Sequence, residues 1–323
     1  MVQNLSDVYE NVVDRGAIVT ATSPREAAAN TRAIRAAIAT GKHVLFPAGR
    51  YLFSGTLEFC RSDQRCTFLA GAILVPIDSK AYVRIGYAST VPILPDTGKP
   101  DPATTGFGQT FIGFRIEAPA HIAARSPLVE IYGADSLLMQ ELRVAVTTMA
   151  EPLNVDGSAA LGPRAAVRAM VLTRCKFIGG SISGGQESGT IGLWLANSYD
   201  YNKGSGDINP NPGQWWPGVE KKEDVDDTAA FVVARIGSSA GEVGAIGLAI
   251  ERFGWAVRIG CICDNQSFID CSFTDNVDGA LIVRDDADIL EGATWDPGAA
   301  VVPVELAVVS VLTLVGCHMG GAS

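Results

Sequence analysis

Carboxylates crowd two stretches of this chain. Asp224, Asp226 and Asp227 close one polar run, and Asp285, Asp286 and Asp288 follow the string Gly279 to Val283, with Asp275 and Asp278 just before it. Acid–base hydrolysis of a glycosidic bond needs two carboxyl groups about 5–10 Å apart, one to donate a proton and one to activate water or attack. On that chemistry Asp278, Asp285 and Asp286 are the candidate catalytic residues. The competing reading is that Asp-rich turns cap strand ends and stay solvated. Elimination beside a uronate would instead need a Lys, Arg, His or Tyr base and a positive group. Asp264, Asp270, Asp285 and Asp286 offer oxygens for a cation, and Arg252, Arg258 or Arg284 offers the positive charge.

Aromatic side chains supply a second chemistry. Tyr199, Tyr201, Trp215 and Trp216 lie among Asn, Asp, Gln and Lys in the run Asn197 to Asp227. An exposed Trp-Trp pair is costly unless it covers something. These four are candidate glycan-binding residues, because sugar rings stack on aromatic faces. They would equally serve to pin the loop to the body or to meet a neighbouring subunit. Trp194 and Trp255 sit inside apolar runs and read as core or interface. The string Gly179 to Gly185 lacks the Gly-Lys-Ser/Thr of a phosphate loop and reads as tight turns.

Of seven cysteines, none has a second Cys/His pair at zinc spacing, so no metal is expected and the thiols read as buried and reduced. The 323 residues are 47% hydrophobic and 19% charged, with a net charge of −10. That excludes a disordered chain and argues against nucleic acid, which needs a basic stripe. The stretch Ala299 to Cys317 is broken by Pro303 and Glu305, so no membrane insertion is expected. The opening residues do not read as a secretory signal, so none is expected.

The elements that must hold these residues are mostly short. A helix is expected from Asn30 or Thr31, with Ala33, Ile34, Ala37 and Ile38 as its apolar stripe and Gly41 as its end. His43–Phe46 and Tyr51–Phe53 read as strands. After them come apolar runs of four to eight residues divided by Gly, Asn, Asp and Pro, the pattern of strands and turns. Leu172–Phe177, Phe268–Phe273 and Leu314–Met319 share a Cys two residues before a large apolar residue. Gly254–Ile259 and Gly279–Val283 repeat at 25 residues, and Gly192–Leu195 is similar. A recurring unit of about 20–30 residues suggests stacked coils. Cys175, Cys271 and Cys317 would then occupy equivalent inward positions. Polar insertions are expected at Gly86 to Gly108, Thr147 to Arg164 and, largest, residues 197–227.

The segment Asn30 to Leu57, a capped helix followed by a strand and Pro-x-Gly-x-Tyr, resembles the opening of the pectate-lyase-like superfamily. Gly71-Ala72-Ile73-Leu74 matches the coil that commonly follows, and Ser267 to Val283 looks like a standard rung. The resemblance implies an all-β chain: a single-stranded right-handed parallel β-helix, a solenoid with a short N-terminal capping helix. Residues 1–29 would be a leader or attachment segment and 30–323 the helix. Polygalacturonase-like members carry Asn-Thr-Asp, paired Asp, Gly-His-Gly and Arg-Ile-Lys. Here only Asp285-Asp286 and a loose Thr274-Asp275-Asn276 correspond, so that activity is not implied. Pectate lyases bind calcium through carboxylates on successive rungs, which makes Ca2+ the cofactor of a lyase alternative and of no other.

Bacteriophage tail spikes and other virion spikes often begin this way. The resemblance therefore implies a virion-associated protein, made in a host cytoplasm, that binds bacterial surface polysaccharide. The alternatives are a lyase or glycoside hydrolase of the same fold, or a structural adaptor. A homotrimer is expected, since the low charged fraction suits flanks hidden by copies. A further virion protein is expected at the leader or at the last, open rung.

Overall fold

The computed structural model describes residues 8–87, 103, 106–152, 163–170, 172–196, 240–260, 263–283 and 312–321. Its helix, α1 (Pro24–Ala39), starts earlier than the apolar stripe implies. Ser23 caps it, accepting from the Glu26 amide while the Glu26 carboxylate accepts from the Ser23 amide, and Pro24 opens the first turn. The expected caps Asn30 and Thr31 are buried inside it and do other work. The Asn30 amide donates to the Ile18 and Leu52 carbonyls, and the Thr31 hydroxyl accepts from the Ser54 amide, each at 3.0 Å. These bonds lash the helix over one end of the interior, where Ile34, Ala37 and Ile38 are buried. Ahead of the helix, β1 (Tyr9–Asn11) pairs in parallel with β2 (His43–Phe46).

Three parallel faces follow. The first runs through β1, β2, β5 (Arg65–Phe68), β8 (Thr110–Ile112), the start of β12 (Leu138–Ala145) and of β15 (Cys175–Ser183), then β17 (Ala240–Ile246), β20 (Cys263–Ile269) and β23 (Leu312–Val315). The second holds β3 (Gly49–Phe53), β6 (Ala72–Pro76), β9 (Arg115–Glu117), the ends of β12 and β15, β18 (Ala249–Glu251), β21 (Ser272–Asn276) and β24 (His318–Gly321). The third stacks β4 (Thr56–Phe59), β7 (Tyr82–Gly86), β11 (Val129–Tyr132), β14 (Arg164–Met170), β16 (Thr190–Leu195), β19 (Trp255–Ile259) and β22 (Gly279–Val283). A small extra pair, β10 (Ala123–Ser126) with β13 (Thr148–Pro152), packs on β14, so the expected insertion from Thr147 is partly strand. Every pairing among the described residues is parallel, and the chain is a single-stranded right-handed parallel β-helix capped by α1.

Alternation builds the core. On the first face Phe111, Met139, Phe177, Ala245 and Phe268 point inward in successive coils and are buried. Uninterrupted coils are 22 residues from Val44 to Cys66 and 26 from Leu57 to Val83. From β8 onward the chain turns between the first and second faces at a left-handed residue: Gly113, Glu141, Gly179, Gly247, Asp270 and Gly316, all with φ between 51° and 68°. Gly179 and Gly180 are therefore a bend within β15 rather than a turn between rungs.

The sequence repeats stack differently from their alignment. Cys175, Cys271 and Cys317 each follow a left-handed residue and face inward, but Cys175 lies opposite Val243 and Cys271 lies one residue before the Ser272–His318 pair. The second and third copies share a corner, and the first uses a different one. Likewise Trp255, not Gly254, lies opposite Gly279, a spacing of 24 residues. The reason is steric: a Cβ on Gly279 would stand 2.4 Å from Cζ3 of Trp255.

Candidate functional site

Beyond the fold, two places gather polar chemistry. The first is the outer surface of the third face. Outward side chains Glu58, Arg84, Glu130, Arg168, Trp194 and Arg258 stand directly opposite one another in six successive coils. Outward residues of a solenoid normally meet water, yet Arg84, Glu130 and Arg168 are each 2% exposed and Trp194 is 1% exposed. Glu130 lies between two guanidiniums: Arg84 Nη1 is 3.3 Å from its Oε2, and Arg168 Nη2 donates to its Oε1. Arg125, from β10, stacks 3.7 Å over the Tyr82 ring, and the Ser126 hydroxyl accepts from the Ala165 amide at 2.8 Å. Burial opposes ionisation of Glu130, but the charges of Arg168, Arg84 and Arg125 outweigh it and hold its carboxyl down at about 2. This row is a structural brace. Tyr132, Met170, Ile191 and Trp194 form a small second core beside it, and Trp255 packs on that core.

The second place is a shallow recess of about 180 Å3 on the first face, open to solvent. Lys176 on β15, Gly244 on β17 and Ser267 on β20 are consecutive outward residues of one ladder. Gly244 has no side chain to stand between the other two, and that missing group is the floor of the recess. Arg174, Glu242 and Asn265 rim it. The Arg174 guanidinium is held by both oxygens of Asp135, at 2.8 and 2.9 Å. Exposed Lys176, Glu242 and Asn265 thus present an ammonium, a carboxylate and an amide around a flat glycine floor. That is a set of donors and acceptors for a polyhydroxylated ligand. Beneath the floor Cys175 and Val243 are buried, so the recess rests on the core.

Of the sequence candidates, Asp278 is described and exposed. Its carboxylate accepts from the Ser188 hydroxyl at 2.9 and 3.1 Å and from the Gly189 amide at 2.8 Å, tying two coil ends together. Asp275 sits at a left-handed corner in step with Arg252. Asp285, Asp286, Tyr199, Tyr201, Trp215 and Trp216 lie outside the described residues, as do Asp224, Asp226, Asp227, Asp288 and Arg284. Arg258 belongs to the buried row of the third face. Among the described residues no three His, Cys, Asp or Glu side chains gather as a metal site would require, and no helix is long and apolar enough to cross a membrane. Five described cysteines are free thiols.

No family model matches the chain and no curated protein sequence matches it. Solved structures do. ORF18 of Geobacillus virus E2 is 11% identical, with a TM-score of 0.52, over 97% of this chain and 48% of that one. The tailspike protein of the Acinetobacter phage vB_ApiP_P1 is 9% identical with a TM-score of 0.35, over 98% and 50%. The catalytic unit of a GH87 alpha-1,3-glucanase from Streptomyces thermodiastaticus is 12% identical with a TM-score of 0.29, over 97% and 69%. The chain spans about half the length of the first two. What it shares with the first is the fold.

Proposed function

We propose that this chain is a virion-associated β-helix protein that binds bacterial surface polysaccharide at the recess over Gly244. The observation that carries the reading is the recess itself: a flat floor on a rigid ladder, with an ammonium, a carboxylate, an amide and a hydroxyl around it. Sugars present hydroxyls that both donate and accept, so a mixed rim suits them better than a rim of one charge. The ladder spacing of about 4.8 Å per coil sets polar groups at regular intervals along the axis, as an extended polymer requires. A fold shared with a virus protein is consistent with the virion setting. Stacking by Tyr199, Tyr201, Trp215 and Trp216 belongs to the same proposal, and so does a homotrimer as the working unit.

The test is an array of bacterial surface polysaccharides probed with the unsubstituted protein and with Gly244→Val. A Cβ at Gly244 would meet only the Ser267 hydroxyl, at 3.2 Å, and valine suits a strand, so the variant keeps its fold. Binding by the unsubstituted protein and at least tenfold weaker binding by Gly244→Val is expected. Equal binding by the two proteins places the ligand elsewhere, and an array blank for both removes the polysaccharide reading.

A further inference from the structure

Beside the recess, on the same face, runs a second outward ladder of different character. Ile178, Ile246, Ile269 and Val315 lie directly opposite one another in four consecutive coils, and Ile112 continues the line beyond Gln140. Ile246 is 42% exposed and Val315 is 52% exposed. From Ile112 to Val315 the line is about 24 Å long at the spacing of parallel strands. Ile112, Ile178 and Ile269 are half-buried, and straight aliphatic rows that reach the surface in this way are interaction surfaces or liabilities.

We propose that this ladder is the seam along which copies of the chain pack in parallel and in register around a common axis; the proposal rests on the self-association read above. Two features favour a second copy as the occupant. A partner must repeat at the strand spacing to set one aliphatic group against each of these, and another copy of the coil does so by construction. The borders are also complementary. Lys176 lines one side of the row, while exposed Asp270 and Glu141, the latter 3.8 Å from the Arg143 guanidinium of its own strand, stand at the corner on the other. Rotation about an axis parallel to the coil brings Lys176 of each copy towards the acidic corner of the next, whereas an antiparallel pair sets like borders together. The recess over Gly244 then opens at the edge of the cleft between copies.

Ile178→Cys and Ile269→Cys, prepared as separate variants and treated with a short bis-maleimide, test the arrangement against the unsubstituted protein, whose own thiols set the background. Parallel packing in register cross-links each variant to itself. The two positions are two coils apart, about 10 Å, so a mixture gives few 178-to-269 products. Ile246→Asp, at an outward position that leaves the core untouched, shifts the association midpoint in native mass spectrometry to about tenfold or higher protein concentration, with the far-ultraviolet circular dichroism unchanged. An oligomer that cross-links at neither position, that joins 178 to 269 preferentially, or that survives Ile246→Asp overturns the seam and leaves self-association standing. A protein that is monomeric at every concentration overturns both.

Discussion

Replacing Glu130 by Gln tests the brace on the third face at a single atom pair. The substitution keeps shape and removes the charge that lies between Arg84 and Arg168. At the 3.3 Å separation of Arg84 and Glu130, each ion pair has a gross attraction of about 5 kcal/mol at an effective dielectric of about 20. Desolvation cancels much of that, and loss of one partner from a buried cluster typically costs about 3–5 kcal/mol because cations are left behind. Proton linkage gives an independent figure. Folding holds the carboxyl at about 2 against 4.5 for the free side chain. That difference stabilises the ionised fold by about 3 kcal/mol. The folded value is the lower one, so the contribution is complete above about pH 4.5 and is lost as pH falls towards 2. Urea unfolding followed by circular dichroism, at low ionic strength between pH 7 and pH 2.5, reads both. Glu130→Gln is expected to be about 3 kcal/mol less stable at pH 7, with the gap closing as the unsubstituted protein acidifies. A loss below about 1 kcal/mol refutes the buried-pair reasoning. A loss of full size that does not change with pH shows that packing, not charge, carries it.

Gly279→Ala is expected to cost about 1–3 kcal/mol and to shift tryptophan fluorescence, because the added methyl meets the Trp255 ring at a φ of 153°; a neutral result in the same urea assay would mean the ring moves freely. Burial pushes the Cys175 thiol up to about 12 and raises that of Cys66 as well. Alkylation at pH 8 should therefore be about three orders of magnitude slower at Cys175 than at a free thiol, and peptide mapping that finds rapid labelling in the folded state would show the coil opening locally. Asp278→Ala removes the tie to Ser188 and Gly189 and is expected to lower the unfolding free energy by about 1–3 kcal/mol, which calorimetry or urea unfolding checks.

The parallel β-helix was legible in sequence because the solenoid repeats its demands. Each coil needs an inward apolar residue and a tight corner, and Phe268–Phe273 and Leu314–Met319 show both. The sequence points to a helix start too late in the chain because the apolar stripe begins at Ala33, while the Ser23-Pro24-x-Glu26 cap that begins the helix carries no apolar signal. Cys175 and Cys271 look equivalent in sequence because the two corners make the same local demand, a left-handed residue before a buried one; only strand pairing tells them apart. The recess was invisible for a related reason. Lys176, Gly244 and Ser267 are far apart in the chain and converge only through register. The row around Glu130 was hidden likewise, since Glu130 and Arg168 occupy positions in β11 and β14 that a solenoid ordinarily gives to water.

A prism whose third side is sealed by its own side chains has an unequal capacity for change. Substitution at Arg84, Glu130, Arg168 or Trp194 alters what holds the rod together, whereas substitution at Lys176, Glu242, Asn265 or Ile246 alters only what the rod meets. Change in the proposed binding recess therefore does not draw on stability, and variation among descendants of this chain should collect on the first face while the third stays still. The brace, in that sense, is what leaves the recess free to diversify.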